Sequence, residues 1–265
     1  MKKVTALLGT LFLASLPIIG GTTTVYGATI NPAVEIKYNL DPAQFSKEQI
    51  KTTFSAQEDE RLKVYFFDTE ERTFFANNAI QRLRVYEGKD KFDITYKIRF
   101  QDLSLEEATA ELANHGFTGS ESNYKFEIDS KNGQDPLSVS RKEKIKNTKQ
   151  ISYDFVDAKA ALQAVQDNAP KKIKEWVPNG WFNLTLQNSK MTEPANVQTY
   201  VGSYQGIPAE IEYWEYQGQT MIELSTKTTQ DIAPQIKTTW QTELELADFL
   251  STDQRGKTNF VLFSE

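Results

Sequence analysis

Residues 92–100 read FDITYKIRF. Phe92, Ile94, Tyr96 and Ile98 share one parity and Asp93, Thr95, Lys97 and Arg99 the other, the period of a strand with an apolar face and a charged face. One such strand is ordinary, since antiparallel sheets commonly pack one face on a core and solvate the other. Here the pattern recurs. Glu35 and Lys37 share a parity in AVEIKYNL, Arg82 and Arg84 in AIQRLRVY, and Lys125, Glu127 and Asp129 in YKFEIDS. Glu210 and Glu212 do so in AEIEYWEY, and Glu223, Ser225 and Lys227 in IELSTKT.

A flat sheet with one wet face has no need of arginines two residues apart. A closed barrel accounts for them: the apolar parity, with Leu83, Phe92, Ile94, Tyr96 and Ile98, faces outward under helices, and the charged parity lines a lumen. At about eight strands that lumen holds a small ligand. Enclosed charges are costly unless paired or ligated, so Lys37, Arg82, Arg84, Lys97 and Arg99 together imply an anion of high charge density. The plainer alternative is a solvated face on which Arg82 and Arg84 pair weakly with acids such as Glu87.

Alternation and β-branched or aromatic content predict strands at 33–40, 61–68, 79–87, 91–100, 123–129, 138–146, 181–188, 196–204, 208–216, 219–228 and 256–263. Helices are predicted at 42–51, 70–78, 104–114, 157–168, 170–176 and 231–250. Turn signals in YEGKD, SKNGQD and YQGQT sit between strands as hairpins require. The fold class is α+β, an antiparallel β-barrel of about eight strands with flanking helices, and no linker divides it.

The N-terminus places Lys2 and Lys3 before an interrupted apolar run and small residues at 25–27, the pattern of a signal peptide over 1–27 cleaved before Ala28. The expected location is secreted or cell-surface, with residues 28–265 as one domain and no stable membrane span after processing. The chain has no cysteine, which excludes disulfide stapling, thiolate zinc sites and a cysteine nucleophile. Its one histidine, His115, precedes Gly116 at a helix end and reads as a cap, which leaves a Ser-His-Asp triad without support. A formal net charge of −6 argues against binding of a nucleic-acid duplex, so any anion site is local.

At these residues the sequence resembles the CYTH, or triphosphate tunnel metalloenzyme, superfamily. VEIKYNL stands where that family has its N-terminal Glu-x-Glu-x-Lys strand. YFFDTEERTFFANNAIQRLRVYEG resembles its aromatic-Asp-Thr segment and arginine strand, and DITYKIRF its Lys-x-Arg strand. AEIEYWEYQGQTMIELSTKTT and QRGKTNFVLF resemble late strands. The resemblance implies an antiparallel tunnel for triphosphate compounds, with polyphosphate or a nucleoside triphosphate as ligand and Mg²⁺ or Mn²⁺ as cofactor. It makes Lys37, Arg82, Arg84, Lys97, Arg99, Lys227 and Lys257 phosphate ligands and Glu35, Glu127, Asp129, Glu212 and Glu223 metal ligands, with Glu35 and Glu223 catalytic. Two acids of the pattern are replaced, by Ala33 and Ser225, which weakens metal holding.

The expected activity is metal-dependent phosphohydrolysis of the triphosphatase kind. The alternative is non-catalytic capture of an extracellular polyanion by a degenerate site. A third reading, a surface interaction protein with a vestigial tunnel, requires the basic residues to be exposed or to point apart.

Overall fold

The computed structural model describes residues 30–176 and 180–264. The expected signal peptide, 1–27, lies outside them. The strands are β1 (Ala33–Leu40), β2 (Gln57–Asp68), β3 (Ala79–Tyr86), β4 (Lys91–Phe100), β5 (Lys125–Ser130), β6 (Leu137–Lys146), β7 (Lys190–Met191), β8 (Ala195–Tyr204), β9 (Ile207–Tyr216) and β10 (Gln219–Thr228). The helices are α1 (Lys47–Thr53), α2 (Thr73–Ala76), α3 (Leu105–Asn114), α4 (Ala158–Asn168), α5 (Lys171–Lys174), α6 (Trp181–Gln187), α7 (Ala233–Leu246) and α8 (Lys257–Leu262).

The strands run β3-β4-β6-β5-β1-β10-β9-β8-β2, and β3 pairs back on β2, so the sheet closes; the two-residue β7 extends from β2. Among the described residues the barrel therefore has nine strands, and it is mixed, since β1 and β5 are parallel. The expected α+β antiparallel barrel of about eight strands is thus present, with nine strands and one parallel pair. The excursion through β2, β3, β4 and α3 returns the chain along β1 in the same direction, as a parallel pair requires of its long connection. Where strands do follow directly, tight turns join them. Gln205 and Gly206, then Gln217 and Gly218, all have positive φ, the backbone of two-residue hairpin turns that match strand twist.

The apolar parity of β3 and β4 faces outward. Leu83, Phe92, Ile94, Tyr96 and Ile98 belong to a large buried cluster. Tyr96 Oη donates to the Val165 carbonyl of α4 at 2.6 Å, and Phe182 of α6 packs on Phe74 and Tyr96. On the far side Trp240 of α7 is fully buried and donates to the Tyr204 carbonyl.

Residues 181–188 form a helix where a strand was expected. Phe182, Thr185 and Leu186 are buried at i, i+3 and i+4, while Leu184 is 61% exposed, so the helical spacing decides the face and the apparent alternation does not. Within 256–263, Lys257–Leu262 are likewise helical, not a strand. Phe260, Val261 and Leu262 of α8 cluster with Leu62, Val64 and Phe66 of β2 and with Trp214 and Tyr216 of β9. Val64 and Phe66 stand opposite Arg84 and Arg82, which places this second cluster on the barrel's inner face. The C-terminal helix thus fills an apolar stretch of the lumen, and burying Phe260 and Leu262 contributes roughly 1.5–3 kcal/mol each.

Candidate functional site

The remainder of the lumen is a cavity of about 960 Å³ lined by charge. Lys37, Arg82, Arg84, Lys97, Arg99, Lys227 and Lys257 all border it, as do Glu35, Glu127, Asp129, Glu212 and Glu223. Every site residue proposed from the sequence is therefore brought to one enclosed volume. The vestigial reading, which needed these groups scattered, has no support.

The register divides the wall. Arginines come from β3, and Lys97 and Arg99 from β4, while the acids lie on β5, β1, β10 and β9. Lys37 Nζ bridges Asp129 Oδ1 at 2.6 Å and Glu35 Oε2 at 2.7 Å. Asp129 also takes Lys97 at 2.5 Å and Arg99 at 3.6 Å. Three cations thus converge on one carboxylate that is only 6% exposed. They hold its pKa well below the usual range against the opposing effect of burial. Burial, opposed by Asp129 but reinforced by Lys37 and Arg99, brings Lys97 down to about 8.

At the other acids the pattern repeats. Glu35 also meets Lys227 at 3.4 Å, and Glu127 meets Lys125 at 2.5 Å. Glu212 and Glu223 stand directly opposite one another on β9 and β10. Lys257 Nζ lies between them, 2.9 Å from Glu212 Oε2 and 2.8 Å from Glu223 Oε1. Lys131 closes the group 3.1 Å from Glu223 Oε2 and donates to Asn39 Oδ1 at 2.6 Å.

Arg82 and Arg84 differ from all of these. Among the described residues neither forms an ion pair, and each Nε is buried without a hydrogen-bond partner. Burial and the adjacent Arg84 lower the pKa of Arg82 against the opposing pull of Glu212, Tyr86 and Glu35, so the acids nearby compensate its charge only in part.

No protein-family model matches the chain, and no curated protein matches it. Solved structures do. A candidate adenylyl cyclase from Hippeastrum, described as revealing a dominant triphosphatase activity, superposes with a TM-score of 0.53 at 14% identity, over 86% of this chain and 93% of that one. A candidate adenylate cyclase from Bacillus halodurans gives 0.51 at 14% identity, over 88% and 98%. The chain shares the fold of these structures, a closed tunnel of the CYTH-like kind.

Mg²⁺ or Mn²⁺ in this tunnel needs several oxygen donors free to turn to one point. Among the described residues no three metal-ligating side chains are grouped to hold an ion. Each candidate carboxylate instead contacts at least one ammonium. Neither Ala33 nor Ser225 lines the cavity to supply a further donor. The donor set as arranged does not fit a divalent cation.

Four cations of the cavity lining, Lys125, Lys131, Arg141 and Lys142, were not among the expected phosphate ligands. Lys131 continues the parity of Lys125, Glu127 and Asp129, a signal masked by the turn that begins there. Lys142 of β6 stands opposite Thr95 and pairs with the buried Asp93 at 3.2 Å; its run RKEKIKNTK reads mostly as a solvated hairpin arm, with a Lys142 or Lys144 directed into the lumen as the lesser reading, and Lys142 does line the cavity. His115 caps α3 and stacks on Trp176 with ring centroids 4.0 Å apart, away from the tunnel lining.

Proposed function

We propose that this protein is exported and binds a linear triphosphate group, as found in polyphosphate or a nucleoside triphosphate, inside its tunnel. The observation that carries this reading is the pair Arg82 and Arg84: two guanidiniums on the cavity wall, each with an unpartnered buried Nε and no ion pair among the described residues, call for an anion with several oxygens. Lys97, Arg99 and Lys37 extend the cationic wall. The cavity volume suits a small ligand and not a duplex.

A second reading, metal-dependent hydrolysis of a phosphoanhydride, is favoured by the likeness to the Hippeastrum protein and its described triphosphatase activity. It gives Glu35 and Glu223 the catalytic part, and it requires Glu127, Asp129 and Glu212 to turn from their lysines to Mg²⁺ or Mn²⁺. Chain lacking residues 1–27, incubated with tripolyphosphate, ATP or pyrophosphate in EDTA and in Mg²⁺ or Mn²⁺, separates the two. A thermal shift without phosphate release marks capture; release only with metal marks the hydrolase. Neither shift nor release would refute both.

A further inference from the structure

Glu212 and Glu223 pose an electrostatic problem that the barrel creates and α8 solves. Cross-strand neighbours in β9 and β10, they are 9% and 2% exposed, and like charges directly opposite on a sheet destabilise it. A divalent ion is the usual remedy for two buried carboxylates, and this chain supplies an ammonium in its place. Lys257 is the first residue of α8, whose next turn, Phe260, Val261 and Leu262, is locked into the apolar part of the lumen. The ammonium is thus held by the fold rather than by a flexible surface arm.

Its contacts are those of a bridging cation, at 2.9 Å to one glutamate and 2.8 Å to the other, with the side chain only 16% exposed. Trp214 Nε1 donates to the same Glu212 oxygen at 2.6 Å, and Lys131 takes the second oxygen of Glu223. Two carboxylates meet two ammoniums, so the group is neutral as it stands. A divalent ion entering it adds two positive charges beside Lys131, Lys257 and Lys37 and has to displace the ammonium that already sits between the two glutamates.

We propose that Lys257 is the resident cation of this tunnel, serving between Glu212 and Glu223 in place of a metal ion, so that the phosphate site works metal-free. Lysine has three N–H donors. The ammonium sits at ion-pair distance from both glutamates, and it also lines the cavity, where an N–H can meet a phosphate oxygen. The inference rests on the proposed triphosphate reading for its ligand and stands apart from it for its metal.

The test uses EDTA-stripped chain lacking residues 1–27, with Mn²⁺ and tripolyphosphate as probes. Without phosphate, Mn²⁺ followed by electron paramagnetic resonance should bind Lys257→Met at least tenfold more tightly than the unsubstituted chain, and adding Glu223→Gln should remove the gain. Micromolar Mn²⁺ binding by the unsubstituted chain, or no gain in a Lys257→Met chain that keeps its near-ultraviolet circular dichroism, overturns the proposal. Should Lys257→Met fail to fold, the unsubstituted chain decides. Its tripolyphosphate affinity, compared at equal free tripolyphosphate, should agree within twofold in EDTA and in Mn²⁺; a tenfold tightening by Mn²⁺ overturns the proposal. If tripolyphosphate binds under no condition the triphosphate reading fails, while the Mn²⁺ comparison still reads the role of Lys257.

Discussion

Phe66 on β2 stands directly opposite Arg82 on β3, so an aromatic ring and an unpaired guanidinium are neighbours on the inner face of the barrel. This pairing explains the arginine's isolation. On one side β2 offers only Val64 and Phe66; on the other, Thr95 faces Arg82 and Asp93 faces Arg84. Asp93 is already engaged, accepting from Tyr86 Oη at 2.6 Å and pairing with Lys142. The register thus gives Arg82 no carboxylate opposite it and Arg84 only one shared with Tyr86 and Lys142, and among the described residues neither arginine forms an ion pair.

Arg82→Met should leave the ligand-free stability unchanged or raise it by about 1 kcal/mol, because an apolar side chain replaces an uncompensated charge beside Phe66. The same change should weaken tripolyphosphate binding by roughly 1.5–3 kcal/mol, the contribution of a hydrogen bond to a charged group. Urea unfolding and calorimetric titration read the two effects. A destabilised variant with unchanged affinity would show that Arg82 is structural.

Asp129→Asn should behave in the opposite way. It strips the counter-charge from Lys37, Lys97 and Arg99, and removing one partner of a buried charge group costs about 3 kcal/mol. Tripolyphosphate should then raise the melting temperature of the variant by more than that of the unsubstituted chain, because the anion restores the missing charge. Equal ligand shifts in both would mean that these cations do not touch the phosphate.

Affinity for tripolyphosphate should fall as pH rises through about 8, where Lys97 loses its proton. Lys131 and Lys142, also lowered by burial, act in the same direction. Stability of the ligand-free chain moves the other way. Between the folded value near 8 and the ordinary 10.5 the unfolded chain binds more protons, so this group makes unfolding harder as pH increases across that window. Binding at pH 8–9 should accordingly take up protons, measurable by titration in buffers of different ionisation heat. Affinity that is flat or rising from pH 7 to 9.5 would contradict the assignment.

Asp68 is a structural member of the aromatic-Asp-Thr segment. Its carboxylate accepts from the backbone N–H groups of Thr69, Phe74 and Phe75 at 2.8–2.9 Å, which organises α2 and the approach to β3. Asp68→Ala leaves buried donors unsatisfied and should cost about 2–4 kcal/mol, at about 1–3 kcal/mol for each unsatisfied buried group with partial relaxation. Denaturant unfolding checks this, and a change below 0.5 kcal/mol would remove the capping role.

The lumen was legible because parity is a two-state property: once FDITYKIRF assigns Lys97 and Arg99 to one face, the same rule assigns Arg82, Arg84, Glu35 and Lys37. Closure was legible for the same reason, since only an enclosed face calls for so many paired charges. What parity could not convey was order around the barrel, and hence the parallel β1–β5 pair that sets Glu35 opposite Asp129. Nor could it separate a short apolar strand from a short buried helix. KTNFVL is buried at Thr258, Phe260, Val261 and Leu262, which erases both periodicities, and Lys257 was thus expected on a strand facing phosphate when it begins the helix that neutralises Glu212 and Glu223.

The central claim is that the tunnel holds a triphosphate group on Arg82 and Arg84. Isothermal titration of tripolyphosphate into the chain lacking residues 1–27, beside the Arg82→Met/Arg84→Met double variant and with sulfate as a competing anion, tests it most directly. One ligand should bind per chain, at least a hundredfold more weakly in the double variant, with little competition from sulfate. No binding at millimolar tripolyphosphate, or equal binding in the double variant, would contradict it.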